Sequence, residues 1–267
     1  MNSYLEVAVE TAREAGSILL AEFDRPVRIS YKGEVDIVTQ ADRRSEDAIV
    51  SRLRSHFPKH AIVAEEGGGR ETDSPFRWHV DPLDGTTNFA HGYPCFCISL
   101  GLEEAGEMIA GVIFQPVTNE LFTAVKGEGA YLNQKKIEVS RVEKLATSLV
   151  ATGFPSVKRT QNPNIYYYWD FTLRSHGVRR DGSAAMDLAA VACGRFDGFW
   201  EFGLHSWDAA AGVLLVREAG GVVTRFDGQP YQLGDRELLA SNGRVHAEMR
   251  EVAASIGERT AQKVALP

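Results

Sequence analysis

"HVDPLDGTTNFAHG", His79 to Gly92, places two aspartates three residues apart, sets a proline between them and follows them with glycine and two threonines. Asp-Pro and Asp-Gly are ordinary turn formers, so the stretch first reads as a strand that ends in a turn. Pro82 fixes φ and removes one backbone donor, so the chain leaves the strand with Leu83 preset. The Leu83 carbonyl can then face the same point as the flanking acids. Gly85 permits a sharp turn, and Thr86 brings a hydroxyl close to them.

Outward from this stretch, two further acidic features fall at the edges of predicted elements. Glu65 and Glu66 close the strand-like "AIVAEE" (61–66) and run straight into glycines. Asp208 follows "HSW" at the start of a predicted helix, with Ser206 expected as its N-cap; the helix macrodipole favours an ionised carboxylate there. Each feature alone is consistent with a turn or a cap. Gathered into one cleft, however, Glu65, Asp81, Asp84 and Asp208 cannot all stay ionised without a counter-charge. No Lys or Arg lies within "HVDPLDGTTNFAHG" or "HSWD". All-oxygen ligands point to Mg²⁺, or Mn²⁺ in its place, rather than zinc. There is no CxxC pair, HExxH, calcium loop, Walker loop or G-x-S-x-G elbow. Divalent metals beside a hydroxyl are the parts needed to hydrolyse a phosphate ester.

The 267 residues suffice for one large domain or two joined lobes. A formal charge of −7, with no long basic run, argues against nucleic acid or anionic membrane as main partner. The apolar stretches are too short and too broken by charge for a membrane span, and the start lacks the pattern of a secretion signal. Three cysteines (Cys95, Cys97, Cys193) cannot all pair within one chain and read as small buried thiols of a cytoplasmic protein.

Residues 4–23 place Leu5, Ala8, Ala12, Ala15, Leu19 and Phe23 at helical spacing, and a second helix is expected over 42–57. Residues 95–139 alternate short apolar runs with turns, the pattern of an antiparallel meander. From about residue 145 strands alternate with helices, including a helix over 163–175 that carries "IYYYW", one over 183–193 and one over 206–218. The division is thus an N-terminal α+β lobe, 1–144, holding the first acidic motif, and a C-terminal α/β lobe, 145–267, holding the second.

"DPLDGTTNF" together with "WDAAAGVLLVREAGG" (207–221) resembles the two signature motifs of the inositol monophosphatase family, lithium-sensitive, Mg²⁺-dependent sugar phosphatases. "VDIVTQAD" (35–42), "AEEGG" and "DGSAAMDLAAVACGRFDGFWE" (181–201) extend the likeness over nearly the whole chain. The usual glycine before the glutamates is absent. The resemblance implies a layered αβαβα sandwich and a homodimer. It implies that Glu65, Asp81 and the Leu83 carbonyl hold one Mg²⁺, that Asp81, Asp84 and Asp208 hold a second, and that a third, weaker ion binds near Glu65. Thr86, paired with Asp42, would orient or deprotonate the attacking water. Gly85 and Thr86 would bind phosphate, Gly182, Ser183 and Ala184 would line the sugar side, and Glu201 would accept a hydroxyl hydrogen bond. Asp181 either bonds a polyol hydroxyl or pairs with Arg179 or Arg180.

The implied substrate is inositol 1-phosphate, a small phosphorylated polyol. Fructose 1,6-bisphosphate, histidinol phosphate and 3′-phosphoadenosine 5′-phosphate are alternatives for the same chemistry. Haloacid-dehalogenase phosphatases carry D-x-D-G-T, whereas this chain has D-x-x-D-G-T; residues three apart on a regular strand do not share a face. A non-enzymatic binding protein on the same fold would be free to lose Glu65, Thr86 or Asp208, and all three are present.

Overall fold

Helix α1 (Ser3–Phe23) turns Ala8, Ala12, Ala15 and Leu19 inward, as their spacing predicts, and packs beside α2 (Gln40–His56), whose Ile49 and Leu53 are fully buried. The computed structural model describes residues 3–23, 29–31, 37–154 and 162–261; residues 35 and 36 of the "VDIVTQAD" stretch lie outside them. A small antiparallel pair, β1 (Ile29–Tyr31) and β2 (Ile37–Thr39), precedes α2. Helix α2 begins two residues earlier than expected because Thr39 and Asp42 cap each other. The Thr39 hydroxyl accepts from the amides of Ala41 and Asp42, and Asp42 Oδ2 accepts the Thr39 amide at 2.8 Å.

A seven-stranded sheet follows: β3 (Ala61–Ala64), β4 (Phe76–Asp84), β5 (Cys97–Glu104), β6 (Glu107–Gln115), β7 (Glu120–Val125), β8 (Gly129–Leu132) and β9 (Lys135–Ile137), paired in chain order. Only β3 and β4 run parallel; the rest form the expected meander. The short helix α3 (Thr86–Ala90) interrupts it after β4. The second sheet has the order β11-β10-β12-β14-β13. It comprises β10 (Leu149–Thr152), β11 (Gly177–Arg179), β12 (Gly198–Phe202), β13 (Val222–Thr224) and β14 (Glu237–Ser241). Strands β11, β10 and β12 are parallel and β14 is antiparallel to both its neighbours.

Alternation along the strands sorts the core into three parts. Trp78, Val80, Ile98, Leu100 and Val112 face α1 and α2. Cys97, Ile113, Phe122 and Ala124 face the other way, onto α5 (Ala184–Ala192) and α6 (Ser206–Glu218), whose far sides meet Ala151, Phe199 and Ala240 of the second sheet. Beyond that sheet, Val150, Trp200 and Leu239 pack against α4 (Asn164–Arg174) and α7 (His246–Ala261). The layers are therefore α1/α2, sheet, α5/α6, sheet, α4/α7: the αβαβα sandwich.

Helix α6 lies close on the first sheet because glycines pave its track. A Cβ on Gly101 would stand 2.7 Å from Ala210 Cβ, and one on Gly111 would stand 3.1 Å from Ala211 Cα. Ala209, Ala210 and Ala211 let the helix settle there, and its first turn thereby reaches the end of β4.

Candidate active site

The D-x-x-D spacing is resolved by a β-bulge. Asp81 pairs with Ser99 and Asp84 with Cys97, so three steps along β4 oppose two along β5. Ser99 and Cys97 share a face of β5, and the extra residue puts both aspartates on that face too. Pro82 sits inside the bulge, where its missing N–H removes no ladder bond. Ser45 of α2 donates to the Pro82 carbonyl at 2.8 Å, and the Leu83 amide donates to Asp81 Oδ1 at 3.0 Å. At Gly85, φ is +95° and a Cβ would meet the Cys95 carbonyl at 2.8 Å, so only glycine fits.

The turn delivers Thr86, first residue of α3, to Asp42. The Thr86 hydroxyl stands 2.9 Å from Asp42 Oδ1 and 3.1 Å from the Leu83 carbonyl. Asp42 is thus divided: Oδ2 caps α2 and Oδ1 meets Thr86. Burial raises its pKa, against hydrogen bonds from Thr39 and Thr86.

Glu65 follows β3 directly, on a turn held by Glu46 of α2, whose two oxygens accept the amides of Glu66 and Gly68 at 2.7 Å each. Asp208 lies in the first turn of α6 as expected, with a correction to the cap. His205, not Ser206, occupies the N-cap position, because Asp208 Oδ2 accepts the His205 amide at 2.7 Å. The Ser206 hydroxyl is turned instead to His79 Nδ1, 2.9 Å away.

On the expected substrate side, Ser183 caps α5 and its hydroxyl donates to Asp84 Oδ2 at 2.7 Å; the Ala185 amide adds a second donor at the same distance. Ala184 is the first residue of α5. Asn88 of α3 donates to the carbonyls of Asp181 and Cys95, both at 2.7 Å, and so ties the Asp181–Gly182 turn to the first motif. Desolvation raises the pKa of Asp181, with Arg179 attracting it the other way. Glu201, on β12, is buried and faces Gly153, where a Cβ would collide with its carboxylate. Asn88 and Glu46 were not singled out from the sequence. Asn88 stands inside the motif, but its role depends on the loop it meets 93 residues later.

Of the cysteines, only Cys97 is fully buried; Cys95 and Cys193 are half-buried, and all three are free. Burial, then nearby acids, pushes the Cys95 thiol up to about 12, which leaves it a poor nucleophile. In the aromatic run, Tyr167 packs in the core while Ile165, Tyr166 and Trp169 are exposed.

Electrostatics shows which acids share the cleft. Burial holds Asp81 far above the usual carboxylate range, reinforced by Glu65, Asp84 and Asp208. Asp84 is pushed up to about 7, chiefly by burial and then by Asp208, while Ser183 and Ala185 pull the other way. Glu201 is raised by burial, then by Asp208 and Asp84. No lysine or arginine figures among the leading influences on Asp81 or Asp84. Among the described residues no three His, Cys, Asp or Glu side chains form a ready cage for an ion. The acids instead form a mutually repelling, all-oxygen set, with Asp81 buried and Glu65, Asp84 and Asp208 part-exposed around it, which fits a hard divalent cation.

Residues 1–259 match the inositol monophosphatase family. The chain belongs to that family. An inositol-1-monophosphatase of a Synechocystis species is 43% identical over 258 residues, 96% of this chain and 90% of the relative. Nus factor SuhB of Escherichia coli K12 is 42% identical over 249 residues, 92% and 93% of the two chains. A solved inositol monophosphatase from Anabaena (Nostoc) has a TM-score of 0.87 at 42% identity and covers 95% of this chain and 96% of its own. As a member of the inositol monophosphatase family, the chain is a phosphatase of a metal-dependent class.

Proposed function

We propose that the chain hydrolyses inositol 1-phosphate and other myo-inositol monophosphates to inositol and phosphate by direct attack of water, without a phosphoenzyme. The observation that carries this reading is the mutual influence of Glu65, Asp81, Asp84 and Asp208, with Thr86 on the turn after Asp84 bonded to Asp42 of α2. Glu65, Asp81 and the Leu83 carbonyl would hold one Mg²⁺, Asp81, Asp84 and Asp208 a second, with a third weaker site near Glu65 and Mn²⁺ as a substitute. When bound, the cations supply Lewis acidity, which lowers the pKa of water and offsets the negative charge of the ester.

Thr86 Oγ1 orients the attacking water, and Asp42 Oδ1, raised by burial, holds the proton that passes through that hydroxyl. The amides following Gly85 meet the phosphate. Asp181, Gly182, Ser183 and Ala184 face the polyol, and Glu201 accepts one of its hydroxyl hydrogens. The donors committed to Asp81 and Asp84 favour ligand roles over a nucleophilic one. Phosphate release from inositol 1-phosphate, fructose 1,6-bisphosphate, histidinol phosphate and 3′-phosphoadenosine 5′-phosphate, with Mg²⁺ and with chelator, tests the proposal. Mg²⁺-dependent preference for inositol 1-phosphate is expected; preference for another ester replaces the substrate, and trapping of an aspartyl-phosphate by borohydride replaces the mechanism. Lithium is expected to inhibit.

The remaining readings stand beside this one as proposals. Ile165, Trp169 and Leu173, spaced at i, i+4 and i+8 and exposed on α4, support a homodimer. No helix among the described residues is long and apolar enough to cross a membrane, and free cysteines suit a cytoplasmic location. Residues 1–144 and 145–267 are read as two lobes, each with its own sheet. The name of the Escherichia coli relative supports a second role as a Nus factor. Asp84→Asn separates the two, since it removes turnover and leaves the surface intact.

A further inference from the structure

His79 is used by nothing in the reaction above, yet it is buried to 3% exposure on the strand that carries Asp81. The two residues are two apart on β4, on the face opposite to Trp78 and Val80, and so both look onto α6. In the first turn of that helix, Ser206 meets His79, and Asp208 acts on Asp81 through its charge. His79 Nδ1 lies 2.9 Å from the Ser206 hydroxyl, and Nε2 lies 2.9 Å from Glu103 Oε2. With Nε2–H donating to the carboxylate, Nδ1 accepts from the serine O–H, so each polar atom in the chain has its proper partner. Glu103 is itself anchored, because its other oxygen accepts the Gly106 amide at 3.1 Å in the β5–β6 turn. Ser99, cross-strand from Asp81, donates to the Trp207 carbonyl at 3.3 Å.

These bonds lie where packing is least directional. Helix α6 rides on Gly101 and Gly111 with Ala210 and Ala211, a seam made largely of backbone and methyl groups, with the Met108 methyl beside Gly101. Such a seam sets how closely the helix approaches and leaves its position along the sheet to be defined by directional contacts. The hydrogen bonds at Ser206 and Trp207 bind the first turn of α6 to β4 and β5 just before Asp208.

We propose that His79 is a positioning residue: with Glu103 and Ser206 it forms a clamp that sets α6 against β4 and thereby fixes Asp208 relative to Asp81 for cation binding. The proposal rests on the reading that Asp81 and Asp208 share a cation. It adds a role beyond those proposed above, since none of the three residues is among those assigned to the cations or the ester.

The test is isothermal titration of Mg²⁺ and Mn²⁺ into substrate-free protein, with kcat and KM for inositol 1-phosphate and melting in EDTA measured alongside. Ser206→Ala and His79→Gln, which lose the hydroxyl–Nδ1 bond, are expected to weaken cation binding about fivefold. That is below the roughly tenfold lower end for groups bonded directly to a metal ligand. Because the lost bond is buried, melting in EDTA should fall by a small amount, while KM should change little. Ser206→Thr keeps a hydroxyl and His79→Asn keeps an amide near Nδ1; both should recover most of the affinity. Unchanged cation binding in Ser206→Ala and His79→Gln overturns the clamp. So does equal loss in all four variants in step with a lower melting temperature, the signature of a structural contact only. Asp208→Asn is the control: if it binds cations as the parent does, the metal reading fails and the clamp with it.

Discussion

Helices α6 and α4 are of similar length and solve opposite problems. Helix α6 is pressed between two sheets, so its middle is buried on all sides and is built of alanine, glycine and medium aliphatics. Gly212 is one such place: a Cβ there would stand 2.6 Å from Leu188 of α5. Helix α4 covers only one face of the outer sheet. It buries Tyr167 and Phe171, the latter stacked at 4.0 Å on Trp200, and leaves Ile165, Trp169 and Leu173 at 53%, 51% and 68% exposure. The inner helix carries Asp208, the acid proposed to complete the site, while the outer layer packs one side of the sheet and leaves the apolar face proposed for association. Asp208 stands at the part-exposed mouth of the inner layer, one residue before the fully buried stretch of α6 begins.

If that contrast is right, the largest effect comes from an inner acid. Asp84→Asn is expected to lower turnover about a thousandfold with little change in melting, as removal of a preorganised charge does; a phosphate-release assay that finds parental turnover breaks the contrast at its centre. Next comes the outer layer's pH response. His246 of α7 bonds Thr224 through Nε2 and Ser241 through Nδ1, and burial lowers its pKa from 6.5 to about 4. Above pH 6.5 the ring is neutral in both folded and unfolded chains and costs nothing. Between pH 6.5 and 4 the unfolded chain takes up the proton and the folded one does not, so stability falls by about 3 kcal/mol and then levels off. Urea unfolding across that window should show the loss, and His246→Gln should remove it.

A smaller effect tests the glycine seam. Gly101→Ala forces α6 off β5 and should cost about 1–3 kcal/mol in denaturant unfolding, with a loss of cation affinity that Gly228→Ala, which meets Arg250 of α7, does not share. The smallest concerns α4. Leu173→Ser should shift folding stability by no more than about 0.5 kcal/mol and move the light-scattering mass toward a monomer. A mass that stays put sharpens the contrast by removing association from α4.

Much of the candidate site was legible because each of its acids stands at the edge of an element that its own neighbours mark. Glu65, Asp81, Asp84, Thr86 and Asp208 stand at the ends of short elements whose periodicity is plain. The small helix α3 was less visible, since five residues carry no period. The cap of α6 was misplaced by one residue: serine is a good N-cap by type, but His79 takes its hydroxyl and Asp208 caps the helix from inside. His79 itself flanks the motif, and nothing local distinguishes a buried bridging histidine from a surface one.

Residue order by itself determined the family, the helix-and-strand alternation and the positions of the acids, because those depend on neighbours a few residues apart. The tertiary structure alone decided that a bulge at Pro82 turns Asp81 and Asp84 to one face, that Asn88 reaches the Asp181 turn and that His79 meets Ser206. Each of these joins groups that come together only when β4, β5 and α6 pack, and a hydrogen bond across 127 residues leaves no local pattern to read.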